Sequence, residues 1–590
     1  MPTTMLIDRT FSRTLDDWVR RLSAPPWRGA RVEGWVFEGT AARRAAERSL
    51  AEAGVAARLR SAYKPLVFHF LEELDASTLA EVDITYPVHP QALPRRFLQE
   101  AYPLAAMLPP CRVRFLPGGA DLHYHLALTH TDGSRSHAKV WAPNRVHHDP
   151  QGETHLSPTG WLRITPAGAA APESDAAEPT EYEQIFQEIL HAVGQHDWPA
   201  QEPYFERLDI RVDLPGIAQR LPVGHETISS LEALHEDIYF SLLELFQRRS
   251  GRPAQDRRLQ PGQIVPDVRA TLHAPRLRIA HGPFDAQAQD QCTAELPDPD
   301  GPLAQLGDPA SPRRIAAALR ALGGQPFRAT TRQGREVAGT YRAGAGAAVV
   351  ISGGQHANET SGVVGALRAA EVLQRERDAH FALIPLENPD GHALHRELRL
   401  QHPGHMHHAA RYSALGDDIE YRDQPPFLER EARHQALAMS RAQLHLNLHG
   451  YPAHEWTRPL SGYVPRGFEL WTIPKGFFLI LRHHRGWQGE ALALLQRVTA
   501  ALAEVPGLPA FNAGQLSLYE RHAGPLPFER MHGTPYTMAE VDRPGAPVTL
   551  ITEFPDETVD GDAFRFAHTV QMRTVLAAVA AWQSLARTAP

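Results

Sequence analysis

The chain has 590 residues, 43% hydrophobic and 22% charged, a composition that supports packed cores and excludes a fibrous or wholly disordered protein. That length implies two to four domains, because single cores stop growing at about 250–300 residues. The net charge of -8 excludes the basic stripe a nucleic-acid binder needs, and a count of two cysteines, Cys111 and Cys292, excludes a disulfide framework or a thiolate zinc finger. Any metal must therefore be held by nitrogen and oxygen. The first ten residues already carry charge, and the most apolar runs, Gly476 to Leu481 and Val575 to Ala580, fall short of the roughly 20 residues a membrane span requires. The expectation is a cytoplasmic protein with no membrane partner.

In chain order, residues 1–165 mix a helical stretch, Gly39 to Arg60, with short strand-like runs at Val82 to Val88, Val113 to Phe115, Leu122 to Leu128 and His137 to Trp141, as in an α+β domain. Residues 166–180, PAGAAAPESDAAEPT, have the composition of a linker. From 181 to 310 the pattern is helical or mixed, notably Leu231 to Phe246, where Leu234, Ile238 and Leu242 share one face and predict a packing element. A second linker-like stretch runs from Pro297 to Pro312, with Ser311-Pro312 placed to start a helix. Residues 311–590 form the last domain.

The chemistry concentrates in that last domain. Ala347 to Ser352, AAVVIS, predicts a strand buried on both faces; Gly353-Gly354 turns the chain, His356-Ala-Asn-Glu359 follows, and then comes a helical pattern. This order places His356 and Glu359 in the crevice at the carboxyl end of a strand, where open α/β sheets bind ligands. Three more strand-like runs end the same way. Phe381 to Leu386 delivers Glu387-Asn388-Pro389-Asp390-Gly391; Leu444 to Leu448, LHLNL, delivers His449; Val548 to Thr552 delivers Glu553. HxxE alone is weak, since 32 histidines give about two chance matches, and His69-Phe-Leu-Glu72 is such a decoy without the strand-glycine-helix setting.

Two histidines and a glutamate are the donor set of an open catalytic zinc site, which keeps a position for water and lowers its pKa. A separate carboxylate must then take the water's proton, and Glu553 is the acid best placed to do so. A cation is needed to polarise the scissile carbonyl; Arg396, Arg399 and Arg411 are the candidates. The bland alternatives are surface salt bridges for these arginines and a surface Glu at a sheet edge for Glu553. The run His402-Pro-Gly-His405-Met-His407-His408 reads as a solvated or substrate-lining loop rather than a second metal site.

The segments GGQHANE, NPDG, NLHGY and TEF, in this order, resemble the zinc carboxypeptidase family, the M14 metallopeptidases, over about residues 320–590. The resemblance implies a doubly wound, mixed eight-stranded α/β sheet flanked by helices, one zinc ion on His356, Glu359 and His449, and Glu553 as general base. It also implies a mobile tyrosine, for which Tyr536 is the first candidate and Tyr519 the second, and a basic clamp for a terminal carboxylate. Arg422, in DDIEYRD, is the candidate clamp, although the family's preceding Asn is missing.

The expected activity is therefore zinc-dependent amide hydrolysis of a peptide or N-acyl amino acid, of metallocarboxypeptidase type. The alternatives are an N-acyl amino acid deacylase of the aspartoacylase and succinylglutamate desuccinylase type, which GGQHANE fits equally well, and a binding protein with a vestigial zinc site. The first 300 residues are expected to shape the cleft, bind part of a larger substrate, or join copies into a homo-oligomer.

Overall fold

A computed structural model describes residues 3–588 except 109, 150–151, 254–255, 294–295, 297–300 and 465–466, and except the side chains of 586–588. The start of the second linker-like stretch, 297–300, thus lies outside the described residues.

The amino-terminal half carries three four-stranded sheets. The expected strands around residues 82, 113, 122 and 137 pair into one of them, Arg112–Pro117, Leu79–Tyr86, His123–His130 and Arg135–Trp141 in spatial order. The helical stretch expected over Gly39 to Arg60 is shorter, Thr40–Glu52, because Gly54 takes a positive φ of 82° and the chain leaves as the strand Ala56–Ser61. Within the linker-like segment 166–180, Ser174–Ala177 pairs antiparallel with Trp161–Thr165 as an edge strand, its backbone hydrogen bonds compensating for side chains too small to bury much. The first strand, Thr4–Thr10, pairs with Arg276–Gly282, so residues 1–165 and 181–310 interleave in one sheet.

Helix α1, Ser230–Ser250, starts where the Ser229 side chain accepts from Glu232 N and ends at Gly251 in the left-handed region. It is buried on nearly all sides, including Glu232, Glu236 and Asp237. Its core continues into residues 394–464 of the last domain, where Leu394, Leu398, Trp456 and Leu460 join Leu234, Ile238 and Phe246.

The last domain is built on a mixed sheet of nine strands. These are β1 Gln325–Thr330, β2 Glu336–Arg342, β3 Val349–Gly353, β4 Phe381–Ile384, β5 Leu444–Pro452, β6 Phe478–His483, β7 Glu529–Met531, β8 Thr534–Glu540 and β9 Val548–Glu557. Their spatial order is β1-β2-β4-β3-β5-β9-β6-β8-β7, one short edge strand, β7, more than the eight expected. Strands β4, β3, β5 and β9 run parallel, and the chain winds from β3 outward to β4 before crossing back to β5. The β3/β5 boundary is the switch point of a doubly wound sheet.

Helices cover both faces: α2 Ser361–Leu373, α3 Pro389–Arg399, α4 Arg430–Ser440, α5 Leu508–Ala523 and α6 Gly561–Thr588. The alternation in LHLNL now has a meaning. Leu444, Leu446 and Leu448 pack in the core under α2 and α6, while His445, Asn447 and His449 point to the opposite face, which α4 partly covers.

Candidate metal centre

The three predicted ligands meet. Gly354 has a φ of 60°, and a Cβ there would lie 2.6 Å from the Leu386 side chain, so only glycine permits the turn that carries the chain from β3 to His356. His356 Nδ1 lies 2.8 Å from Glu359 Oε1, and His449 Nδ1 lies 3.0 Å from His356 Nδ1 and 2.8 Å from Glu359 Oε2. These separations approach the ~3.4 Å between ligands of a tetrahedral ion with bonds of about 2.0–2.1 Å. All three side chains are buried, and their donor atoms lie within 4.8 Å of one another. The donor set suits a metal ion of the zinc type. A second group of three donors, Asp149, Glu153 and His155, is more exposed.

The surroundings hold this arrangement in place. His356 Nε2 faces Asp418 Oδ2 at 3.5 Å, and Gln355 Nε2 donates to Asp418 Oδ1 at 3.1 Å, a carboxylate support that orients the ring. Gly450 N donates to Glu359 Oε2 at 3.1 Å. A Cβ on Gly450 would strike Asp556 Oδ1 at 1.9 Å, so glycine is required after His449. Arg411 donates to Glu359 Oε1, and Asn388 of the NPDG turn positions that loop by donating to the Tyr412 carbonyl at 3.0 Å. Against the cost of burial, His356, Arg411 and His449 hold the Glu359 carboxyl well below the usual range, so it stays an anionic donor.

Glu553 sits beside His449 in the β5/β9 register and beside Phe478 in the β9/β6 register. Burial and then the charge of Glu359 push its pKa well above the carboxylate range, while Arg411 and Lys475 pull it back. Its Oε2 is buried with no hydrogen-bond partner among the described residues. Lys475 mirrors it. This lysine is fully buried, its Nζ also lacks a partner among the described residues, and the rings of Tyr451, Trp471 and Phe478 stand 4.4, 4.7 and 5.3 Å away. Burial pushes its pKa down to about 7, opposed by Glu553.

Other predicted residues lie elsewhere. Arg396 and Arg399 ride the last turns of α3, two turns beyond Asn388 and about 12 Å or more along the helix. Arg396 donates to the Thr293 carbonyl at 3.1 Å and Arg399 reaches Asp308 at 3.4 Å. Arg422 corrects the clamp expectation. Its guanidinium is buried and directs five hydrogen bonds to Asp417, Glu429, Ser413 and the Phe427 carbonyl, which exhausts its five N–H donors. Tyr536 is hydrogen-bonded to Glu529 near the sheet edge, whereas Tyr519, on α5, faces Lys475 Nζ from 5.9 Å.

Of the histidine loop expected to be solvated or substrate-lining, His402 to His405 are exposed or half-buried, with His405 contacting Ser229 Oγ at 3.1 Å, whereas His407 and His408 are buried and His408 contacts Glu236 Oε2 of α1 at 2.8 Å. The decoy pair is also structural, with Glu72 accepting from Arg43 and Thr40. Sequence reasoning missed Asp418 and Lys475. Asp418 lay within the quoted DDIEYRD and could have been found as a carboxylate awaiting an imidazole; Lys475 had no local signal.

No family model and no curated protein matches the chain. Among solved structures, it is similar to a metallo-carboxypeptidase from Burkholderia cenocepacia, with 14% identity and a TM-score of 0.29 over 52% of this chain and 76% of that one. It is also similar to a succinylglutamate desuccinylase/aspartoacylase from Rhodobacter sphaeroides, with 16% identity and a TM-score of 0.24 over 44% and 65%. An aspartoacylase family protein from Mesorhizobium loti matches with 12% identity and a TM-score of 0.24 over 44% and 68%. Likeness this slight carries no weight for function. Among the described residues no single helix is long and apolar enough to cross a membrane.

Proposed function

We propose that the protein is a zinc-dependent hydrolase that cleaves an amide bond in a peptide or N-acyl amino acid, with His356, Glu359 and His449 holding one zinc ion. The observation that carries this reading is the adjacency of a buried His-Glu-His donor set and a buried carboxylate, Glu553, that is left without a hydrogen-bond partner. A vestigial site has no need of that carboxylate.

Zinc in this position supplies Lewis acidity and lowers the pKa of a water to near 7. Glu553, with its pKa raised by burial, is suited to take the attacking water's proton and pass it to the leaving amine. Arg411, its charge fixed beside Glu359, offers a cation to the developing oxyanion. Asp418 keeps the His356 ring oriented, and Asn388 keeps the Arg411 loop in place.

The commitment of all five Arg422 donors favours a second reading beside the metallocarboxypeptidase one, an N-acyl amino acid deacylase. Assays on acyl-amino acids and on short peptides with free and amidated carboxyl ends test both. Hydrolysis abolished by a chelator and restored by zinc is the expected result; hydrolysis indifferent to chelation, or none on any of these amides, contradicts the reading.

A further inference from the structure

Five histidines gather where α1 meets the end of α3 and the loop that follows it. His235 belongs to α1, His395 to α3, and His402, His405 and His407 to the loop, which runs on to Arg411. Their rings make a chain centred on His407. Its ring stands 5.6 Å from His235, 6.1 Å from His395 and 6.4 Å from His405, and His405 in turn stacks on His402 at 4.6 Å. His235, His395 and His407 are buried and the other two half-buried.

Among the described residues none of the five rings is hydrogen-bonded to a carboxylate. The His402 carbonyl can only accept, so His407 Nε2, 3.1 Å away, carries the proton, and Nδ1 is a bare lone pair, buried with no partner among the described residues. His235 Nε2, His395 Nδ1 and His402 Nε2 are buried and without a partner in the same sense. The nearby carboxylates are engaged. Glu232 accepts from His454 Nε2 at 2.8 Å and from Met406 N at 2.7 Å. Glu236 pairs one oxygen with His408 and holds the other 3.7 Å from His235 Nε2, but burial and then Glu232 push its pKa well above the carboxylate range, so in acid it is neutral. On the remaining sides, Asp267 and Arg269 of the strand Gln263–Ala270 face His402 with opposite signs, His454 faces His405, and Arg399, His392 and Arg396 face His395. Burial, with the neighbouring imidazoles adding to it, lowers the pKa of His235 to about 3 and of His405 to about 4, the latter against Glu232, and holds His395 and His407 well below 6.5.

We propose that the cluster is an acid-released latch: with its imidazoles neutral it closes the 402–408 loop against α1 and α3, and with them charged it lets the loop part from α1. A histidine freed by opening regains its ordinary value of 6.5. Below that value the open form binds protons that the closed form refuses, so falling pH drives opening. Each ring charged only in the open form multiplies the opening equilibrium about tenfold between about pH 7.5 and about pH 5.5. Glu236, with its raised pKa, works the other way as a single site against the cluster. The loop leads to Arg411, which donates to Glu359, so opening loosens the cation beside the metal ligands. That last consequence rests on the hydrolase reading above; the latch itself does not.

The test follows amide hydrogen exchange over residues 402–411 of the full chain at about pH 7.5 and about pH 5.5, corrected for the pH dependence of intrinsic exchange. The expected result is a loss of protection of about a hundredfold or more in the loop, the value of two or more rings, while α2 keeps its own. In His402→Gln/His405→Gln and in His407→Gln the loss should shrink by about tenfold or more, because glutamine keeps a donor and carries no charge. The first two positions are half-buried, so that variant tests the latch even where His407→Gln does not fold. A wild-type loss below about threefold, an undiminished loss in His402→Gln/His405→Gln, or a loss shared equally by α2, which is global acid unfolding, overturns the proposal. Amide hydrolysis is measured alongside. A loop that opens in acid with no hydrolysis at any pH defeats the hydrolase reading and leaves the latch; hydrolysis with a loop that stays closed in acid does the reverse.

Discussion

Two regions of this molecule bury charge deeply, and they do so in opposite ways. Where the amino-terminal half meets the last domain, Lys64 is buried with its Nζ bonded to Glu455 and to Tyr463 OH at 3.2 Å. Around it, Glu232 accepts from His454 at 2.8 Å and Arg458 reaches Glu244 at 2.7 Å. At the metal centre, Lys475 is equally buried and has no bonded partner among the described residues, and neither has the Glu553 oxygen on the same side. Desolvating an ammonium costs several kcal/mol, which a bonded carboxylate offsets and an aromatic box offsets only in part. The contrast is between an ammonium paired with a carboxylate, at the junction of the two halves, and an ammonium and a carboxylate oxygen both left without a bonded partner beside the proposed metal ligands.

The sharpest way to break the comparison is at Glu553. If it is the base, Glu553→Gln retains zinc and lowers kcat by about 10²–10⁴-fold; a variant with full kcat removes Glu553 from the mechanism. Next in size is the interface. Lys64→Met leaves Glu455 buried without its cation and should cost about 3–5 kcal/mol in denaturant unfolding. A cost near zero would mean that the pair does not hold the halves together.

Lys475→Met should do the reverse and stabilise the fold, by about 1–3 kcal/mol near pH 6. The sign of the pH dependence follows from its lowered pKa of about 7 against an ordinary value of 10.5. Between these values the unfolded chain binds a proton that the native chain does not, so wild-type stability rises with pH across that window. Below about pH 7 both states are charged and the full penalty applies; above 10.5 both are neutral and it vanishes. The variant's advantage should therefore shrink as pH climbs from 7 to 10, and an advantage independent of pH would show that Lys475 does not carry the penalty. The smallest effect belongs to Arg399→Ala, which removes only a 3.4 Å contact to an exposed Asp308 and should shift stability by less than about 1 kcal/mol.

The carboxy-terminal half of the fold was legible because its signals are local. A buried apolar run and a glycine turn announce His356, LHLNL displays its two faces in the sequence itself, and VTLIT precedes Glu553, although the strands that carry His449 and Glu553 run on to Pro452 and Glu557. The strand-end rule failed for side chains that a helix carries off, as with Arg396 and Arg399, and for Arg422, whose neighbours Asp417 and Glu429 are close in sequence but whose saturation only coordinates reveal. The amino-terminal half was less legible. Its first strand pairs with residues 276–282, and α1 buries acids that periodicity assigns to solvent, because their partners, His408, His454 and Ser461, lie about 170–220 residues downstream. Lys475 was invisible for the same reason, since its aromatic box draws Tyr451 and Tyr519 from separate elements.

The most direct test of the central claim is metal analysis of protein purified without added metal and again after zinc loading and desalting. One zinc per chain in the loaded wild type, lost in His449→Ala and in Glu359→Gln but retained in Glu553→Gln, is the predicted result. A wild type that holds no zinc, or ligand variants that still hold one per chain, would contradict it.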